Sequence, residues 1–375
     1  MIYNGSSYNE NWKISKLAEL GTFARGVSKH RPRNDPKLFE NGKYPLVQTG
    51  DVKEATLYLS KHEQEYGDFG LKQSKLWNTG TLCITIAANI AETAILAYPM
   101  CFPDSIVGFS AYPEKSSEEF MYYIFEYIKK SIQNAATGSI QDNINLEYLM
   151  SLDFKIPEKK YQDMIVLILS SIDRKILINN AINDNLEQQM NLIFENMMAK
   201  AATHKLSGEY TIAQNLTTVV TGKEDAHFSV PNGKYKFFTC SNTPLSCDEY
   251  VFDSSSILIA GNGDFNVKHY SGKFNAYQRT YVLTPDKKYF GLLYLASLYR
   301  INSFKSRSSG SIVKFITKSD VENIPVFIPN DRFYLQELNK LIYLQEQNKL
   351  ENELLVNLRD WLLPMLMNGQ ATISD

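Results

Sequence analysis

The chain has 375 residues, 44% of them hydrophobic and 21% charged, and a formal net charge of −2. That length exceeds one ordinary core and predicts two domains or more, while the composition is that of a folded chain and excludes disorder as the default. No apolar run approaches the 18 or so residues of a membrane span, and the polar start MIYNGSSYNENWK lacks a signal-peptide stretch, so a cytoplasmic location is expected.

In chain order, NWKISKLAELGTFARG (residues 11–26) places an aromatic and an isoleucine ahead of a mixed segment that closes on glycine. RGVSKHRPRNDPK (25–37) follows, with five basic residues and His30 against Asp35 alone. Next come NGKYPLVQTGDV (41–52) and TLCITIAANIAETAILAYP (81–99), in which LCITIA reads as a strand buried on at least one side. SEEFMYYIFEYIKKSI (117–132) carries apolar and aromatic residues at spacings of three and four and reads as a helix capped by Ser116 or Ser117. TGSIQDNINLEYLMSLDFKIP (137–157) then leads into a long amphipathic helix marked by Ile165, Leu169, Ile172, Ile176, Ile182, Leu186, Met190, Ile193 and Met197.

The remaining chain repeats this order. EYTIAQNLTTVVTGKE (209–224), NGKYKFFTCSNT (232–243), SILIAGNGDFNVKHYSG (256–272), the helical KKYFGLLYLASLYRI (287–301) and SGSIVKFITKSDVENIPVFIP (309–329) match the first set in turn. The offset shrinks from 191 positions at the NGKY strings to 172 at the Ile-Pro strings, so the second copy has shorter early loops. A period near 180 residues is far too long for a solenoid and means a duplicated domain. A second amphipathic stripe of Leu338, Ile342, Leu350, Leu354, Leu358, Trp361 and Met365 closes the chain. Neither stripe can be buried alone, so the two long helices are expected to pack on each other with coiled-coil seams. Polar gaps at Asn179 and Asn180 and at Gln345 to Asn348 suit either a buried register-fixing layer or an exposed stretch of helix. At ~1.5 Å per residue the first helix spans roughly 60 Å, which caps the separation of the lobes it joins.

The fold expected is α+β: two duplicated globular α/β domains, residues 1–157 and 206–329, separated by two long antiparallel coiled-coil helices, residues 158–205 and 330–375. Lobe, long helix, lobe, long helix, with GDV after a short strand, GSI ahead of each Ile-Pro and LLPMLMNGQ near the end, resembles the DNA specificity subunits of type I restriction-modification enzymes. The resemblance runs from Trp12 to Gln370. It implies two target-recognition domains, each reading half of a split, asymmetric DNA sequence. It also implies helices that act as a ruler and dock methyltransferase subunits, two in number, with restriction subunits as further partners. One departure is visible: PEKKYQ and PNDRFYLQ stand where the family usually places Glu-Gln after the proline.

Catalytic chemistry is not legible in the chain. It has no NPPY-like tetrapeptide for a flipped adenine, no glycine-rich loop for S-adenosylmethionine and no GxxxxGK[ST]; Gly261 and Gly263 do not complete GxGxxG. Glu158-Lys159-Lys160 reads as a helix start rather than half of a nuclease metal motif. Cys83, Cys101, Cys240 and Cys247 form no CxxC pair and are expected as reduced thiols, and the five histidines are scattered. No cofactor is expected on this chain; by the resemblance, S-adenosylmethionine, ATP and Mg belong to partner subunits.

Net charge hides a strongly basic stretch: residues 266–319 hold ten Lys or Arg against Asp286 alone. Such a stretch suits phosphate neutralisation, and the expected ligand is double-stranded DNA. Arg or Lys to guanine and Asn or Gln to adenine are the contacts that major-groove geometry favours. On the first lobe the candidates are Lys29, Arg31, Arg33, Lys37, Gln48, Thr49, Lys72, Gln73 and Lys75. On the second they are Lys234, Lys236, Ser241, Asn242, Asn262, Asp264, Lys268, Arg279 and Arg307. Most of the basic ones are expected to touch phosphate. The alternative reading is a duplicated protein-binding scaffold whose lobes ignore nucleic acid.

Overall fold

The computed structural model describes residues 2–137, 144–263, 265–307 and 315–373, with the side chains of residues 135–137 and 304–307 outside the description. Both GSI strings therefore lie outside the described residues. Eight α-helices are described: α1 (Thr49–Glu54), α2 (Asp68–Lys72), α3 (Glu118–Thr137), α4 (Leu146–Ser151), α5 (Lys159–Ala202), α6 (Phe290–Arg307), α7 (Lys318–Glu322) and α8 (Arg332–Met367). The chain divides into two compact units, Met1–Ile178 with Asn352–Asp375, and Asn179–Glu351. Each unit takes one lobe and part of each long helix.

In the first unit a five-stranded sheet runs in the order Gly21–Arg25, Ile106–Ala111, Leu82–Thr85, Thr93–Leu96, Tyr58–Leu59. Leu82 and Ile84 face a core shared with Phe120, Ile124 and Ile128 of α3 and Ile165 and Leu169 of α5. Cys83, between them, faces a second core with Val52, Trp77 and Phe102. Both faces are thus covered, which is why LCIT is continuously apolar instead of alternating. Gly108 belongs to this second core because the Trp77 ring would lie 2.6 Å from any added Cβ. A smaller four-stranded sheet, in the order Gln64–Tyr66, Tyr44–Leu46, Met100–Cys101, Leu76–Trp77, carries the loops discussed below.

A two-stranded ribbon, Lys13–Lys16 against Asp153–Ile156, forms the base of this lobe. The expected cap at Ser117 is present, its Oγ accepting from Phe120 N at 3.1 Å. At the foot of α5, Gln162 donates from Nε2 to Pro157 O and Lys115 O, both at 3.0 Å. The departure from Glu-Gln therefore still leaves a glutamine holding the turn into the helix. The end of α8 is sewn to the first residues: Asn4 donates to Met367 O at 2.8 Å and Ser6 to Asn368 O at 2.6 Å. Gly369, at φ +77°, supplies the left-handed residue that ends α8.

The second unit repeats the plan with one larger sheet in the order Val219–Thr221, Thr280–Leu283, Phe252–Ala260, Val267–Ala276, Tyr235–Phe238, Leu245–Cys247. Ile257, Ile259 and Leu283 pack on Leu292, Leu293 and Ala296 of α6, with Met190 and Met197 of α5 and Leu338 and Ile342 of α8. Its ribbon pairs Gly208–Ile212 with Pro325–Pro329. Asn339 of α8 ties α6 down, accepting from Gly291 N at 2.8 Å and donating to Lys288 O at 3.0 Å.

The long helices pack antiparallel within each unit. In the first, Asp173 of α5 meets Arg359 of α8 at 3.0 Å; in the second, Asn183 meets Asn348 at 2.9 Å and Lys200 meets Tyr334 at 3.3 Å. The polar gaps are split between the two expectations: Asn179 and Gln345 are buried, with Asn183 beside them in the layer, whereas Asn180 and Gln347 are exposed. The seam expected along α8 needs correction. Leu338 and Ile342 are buried, but Leu350, Leu354, Leu358 and Trp361 are exposed, the last three forming a stripe at steps of four and three within the first unit. Gln345 and Asn348 in the second unit and Arg359 in the first take the inward face that apolar periodicity assigned to those leucines. On α5, Ile182 is likewise exposed while Leu186, Met190 and Met197 are buried.

Candidate nucleic-acid interface

In the first lobe the basic loop is fixed from both sides. Lys29 N donates to Gln73 O at 3.0 Å and Ser74 Oγ to Val27 O at 2.8 Å, which joins Lys29 to the segment bearing Lys72, Gln73 and Lys75. Arg33 reaches Asp104 at 2.5 Å and Arg31 reaches the same carboxylate at 3.7 Å, with both guanidinium groups about half exposed. His30 Nε2 lies 2.7 Å from Asp35 Oδ2. Lys37 N bonds the other oxygen of Asp35, and this bond, with that of His30, holds the carboxyl below its ordinary value. Lys75 lies over the Trp77 ring at 3.6 Å, within cation–π range.

Gln48 and Thr49 stand at the start of α1, where Gln48 N donates to Asp51 Oδ2 at 2.7 Å. The GDV string is thus the opening of a short helix. Arg33, Asn34, Gln48 and Gln64 line one cleft of about 750 Å³, together with the acids Asp51, Glu54 and Glu63. The structure therefore joins Arg33 to Gln48 across 15 positions of sequence. Sequence reasoning missed Asn34, Gln64 and Asp104. Amides flanking a basic loop were a signal for the first; nothing local marked Asp104 as the counter-charge.

In the second lobe three loops converge. Arg279 O accepts from Gly261 N at 2.8 Å and lies 3.5 Å from Cys240 Sγ, while Asn266 Nδ2 donates to Cys240 O at 2.8 Å. The loops that bear Ser241, Asn242, Asn262 and Arg279 are brought together in this way. Lys268 joins them in a different role: its ammonium donates to Ser241 O, and burial pulls its pKa down, so it braces the loop. Lys234 immediately precedes the strand Tyr235–Phe238 and lies over Tyr235, while Lys236, within that strand, lies over Tyr270. Arg279 shares a cleft of about 430 Å³ with Gln278 and Phe315, which sequence reasoning left out, and with Lys318, one of the ten basic residues of 266–319. Asp264 and the side chain of Arg307 lie outside the described residues.

Residues 9–188 and 223–357 match the family model for the Type I restriction modification DNA specificity domain. The chain belongs to this family. As a specificity chain it matches the family's domain twice, once in each copy of its internal repeat. It is 35% identical over 164 residues to the type I restriction enzyme EcoDI specificity subunit of Escherichia coli, an alignment covering 42% of this chain and 37% of that protein. It is 25% identical over 192 residues to the provisionally assigned MjaX specificity subunit of Methanocaldococcus jannaschii, covering 44% and 45% respectively. Each alignment thus spans less than half of the curated relative's length. Its fold is that of the type I restriction-modification S subunit from M. genitalium, with a TM-score of 0.63, 17% identity and full coverage of both chains.

Among the described residues of the specificity chain, no group of three His, Cys, Asp or Glu is placed to hold a metal ion, and no helix is long and apolar enough to cross a membrane.

Proposed function

We propose that this chain is the non-catalytic DNA-reading subunit of a type I restriction-modification complex, with residues 1–157 and 206–329 each reading one half of a split, asymmetric target. One observation carries the reading: the two lobes share ribbon, sheet and helix, yet present different polar clusters. Arg33 and Gln48 sit in a cleft beside a basic loop in the first, whereas in the second the loops bearing Ser241, Asn242 and Arg279 converge. Two dissimilar readers on one duplicated chassis suit two dissimilar half-sites. Residues 158–205 and 330–375 act as the spacer.

The basic side chains position the lobes on phosphate and the amides read base edges. Methyltransferase subunits, two per chain, and restriction subunits are recruited in the cytoplasm and bring S-adenosylmethionine, ATP and Mg with them. The exposed stripe of Leu354, Leu358 and Trp361 supports helix-mediated docking of such a partner. The same stripe is what a pure protein-binding scaffold would also present, and that second reading stands on it alone.

The test exchanges the segment flanking Asp51 for that of another specificity subunit and sequences the bases methylated by the assembled complex. One half of the recognised motif is expected to change while the other half stays. A change in both halves would overturn the division of labour.

A further inference from the structure

The edge strand Gln64–Tyr66 runs antiparallel to Tyr44–Leu46, with Gln64 opposite Leu46. Two residues beyond Leu46, Gln48 turns its side chain back across the strand pair and donates from Nε2 to Gln64 Oε1 at 3.3 Å. Neither glutamine is free to wander. Gln48 is held through its backbone N by Asp51, and the strand carrying Gln64 is pinned by His62, whose ring nitrogens lie 2.7 Å from Tyr98 Oη and 3.0 Å from Glu65 Oε1. Both amides are exposed and share the cleft with Arg33, which is paired with Asp104, and with the acids Asp51, Glu54 and Glu63.

With Gln48 Nε2 committed to Gln64 Oε1, the exposed Gln64 keeps its Nε2 as a donor, and Gln48 Oε1, which caps the Asp51 N–H at the start of α1, keeps its second lone pair as an acceptor. Adenine asks for that combination in the major groove, a donor for N7 and an acceptor for the N6 amino group, whereas guanine would set its O6 against the acceptor oxygen. Resting on the DNA-reading function proposed above, we infer that Gln64 is a specificity-determining residue. Together with Gln48 it forms a split bidentate reader of one adenine in the half-site of the first lobe. A single glutamine usually supplies both groups; here two residues divide them, and their mutual hydrogen bond sets the spacing.

The experiment uses the full-length chain co-expressed with its methyltransferase subunits in a host free of other methylation, and reads the modified genomic sites. Wild type is expected to write a split motif with adenine at one fixed position of the first half. Gln64→Ala should relax discrimination at that position by roughly tenfold or more and leave the second half intact. Gln64→Glu replaces the donor by an acceptor and should shift preference there from adenine toward cytosine, whose N4 donates. Should the alanine variant fail to accumulate as folded protein, Gln64→Met keeps the volume and carries the same expectation. Lys61→Ala, an exposed neighbour outside the pair, should write the wild-type motif. Wild-type motifs from both Gln64→Ala and Gln64→Glu, or relaxation spread over both halves, would overturn the inference while the DNA-reading function stands. A wild-type complex that writes no split motif would remove that function, and this inference with it.

Discussion

Asp173 shows how a single carboxylate can join a lobe to both helices of its unit. Buried on α5, it accepts from Tyr123 Oη of α3 at 2.7 Å and from Arg359 Nη1 of α8 at 3.0 Å. Burial alone would pull the guanidinium pKa down, but the hydrogen bonds and charges of Asp173 and Asp360 outweigh it and hold the pKa up. Removing one member of a wholly buried pair costs ~3–5 kcal/mol, because the other is left uncompensated. Arg359 is a quarter exposed, so Asp173→Ala is expected to cost less, roughly 2–3 kcal/mol by urea unfolding. Replacing both residues by leucine should recover much of that loss. An Asp173→Ala protein as stable as wild type would show that the contact contributes nothing. No sequence pattern pointed to this knot: its three members are separated by 50 and 186 positions, and each reads locally as an ordinary helix residue.

Among the elements, the long helices were legible and their partners only half so. Ile165, Leu169, Ile172 and Ile176 are buried as their spacing required. On α8 the same rule misassigned Leu350, Leu354, Leu358 and Trp361, because periodicity reports which face repels water and not what covers it. The inward line through Gln345, Asn348 and Arg359 is polar and gives no hydrophobic signal. Leu354 is 70% exposed and Trp361 59%, so replacing Leu354, Leu358 and Trp361 by glutamine should change the stability of the lone chain by no more than about 0.5 kcal/mol each. The same variant should fail to co-elute with methyltransferase subunits on size exclusion. Undiminished assembly would show that the stripe is not the docking face. The loops proposed to contact DNA stood out in the sequence where charge clustered, as at residues 29–37. They did not stand out where the proposed contact depends on two strands meeting, since only the strand register sets Gln64 near Gln48.

For the whole molecule, the duplication was readable because Ile-Pro, NGKY and the helical strings recur in one order. The recognised bases were not, because loops of one chemistry serve many targets and DNA deformation adds preferences of its own. Salt separates DNA reading from a scaffold role. If the lobes contact about six phosphates or more, affinity of the assembled complex for its duplex should fall by roughly 10³ or more between 50 and 200 mM salt. Partner subunits bring phosphate contacts too, so the decisive comparison is within this chain. Lys29→Ala and Lys37→Ala should each lower the slope of log affinity against log salt by about one, with the recognised motif unchanged. Unaltered slopes would place the basic loop away from DNA.

The seam between the two units also fixes a timetable. Everything in Asn179–Glu351 is synthesised before the residues from Asn352 onward, yet Leu366 and Met367 belong to the buried core of the first unit. The lobe synthesised first is therefore the last to be completed, and a message cut short after Glu351 would yield a finished second half attached to a first half that cannot seal.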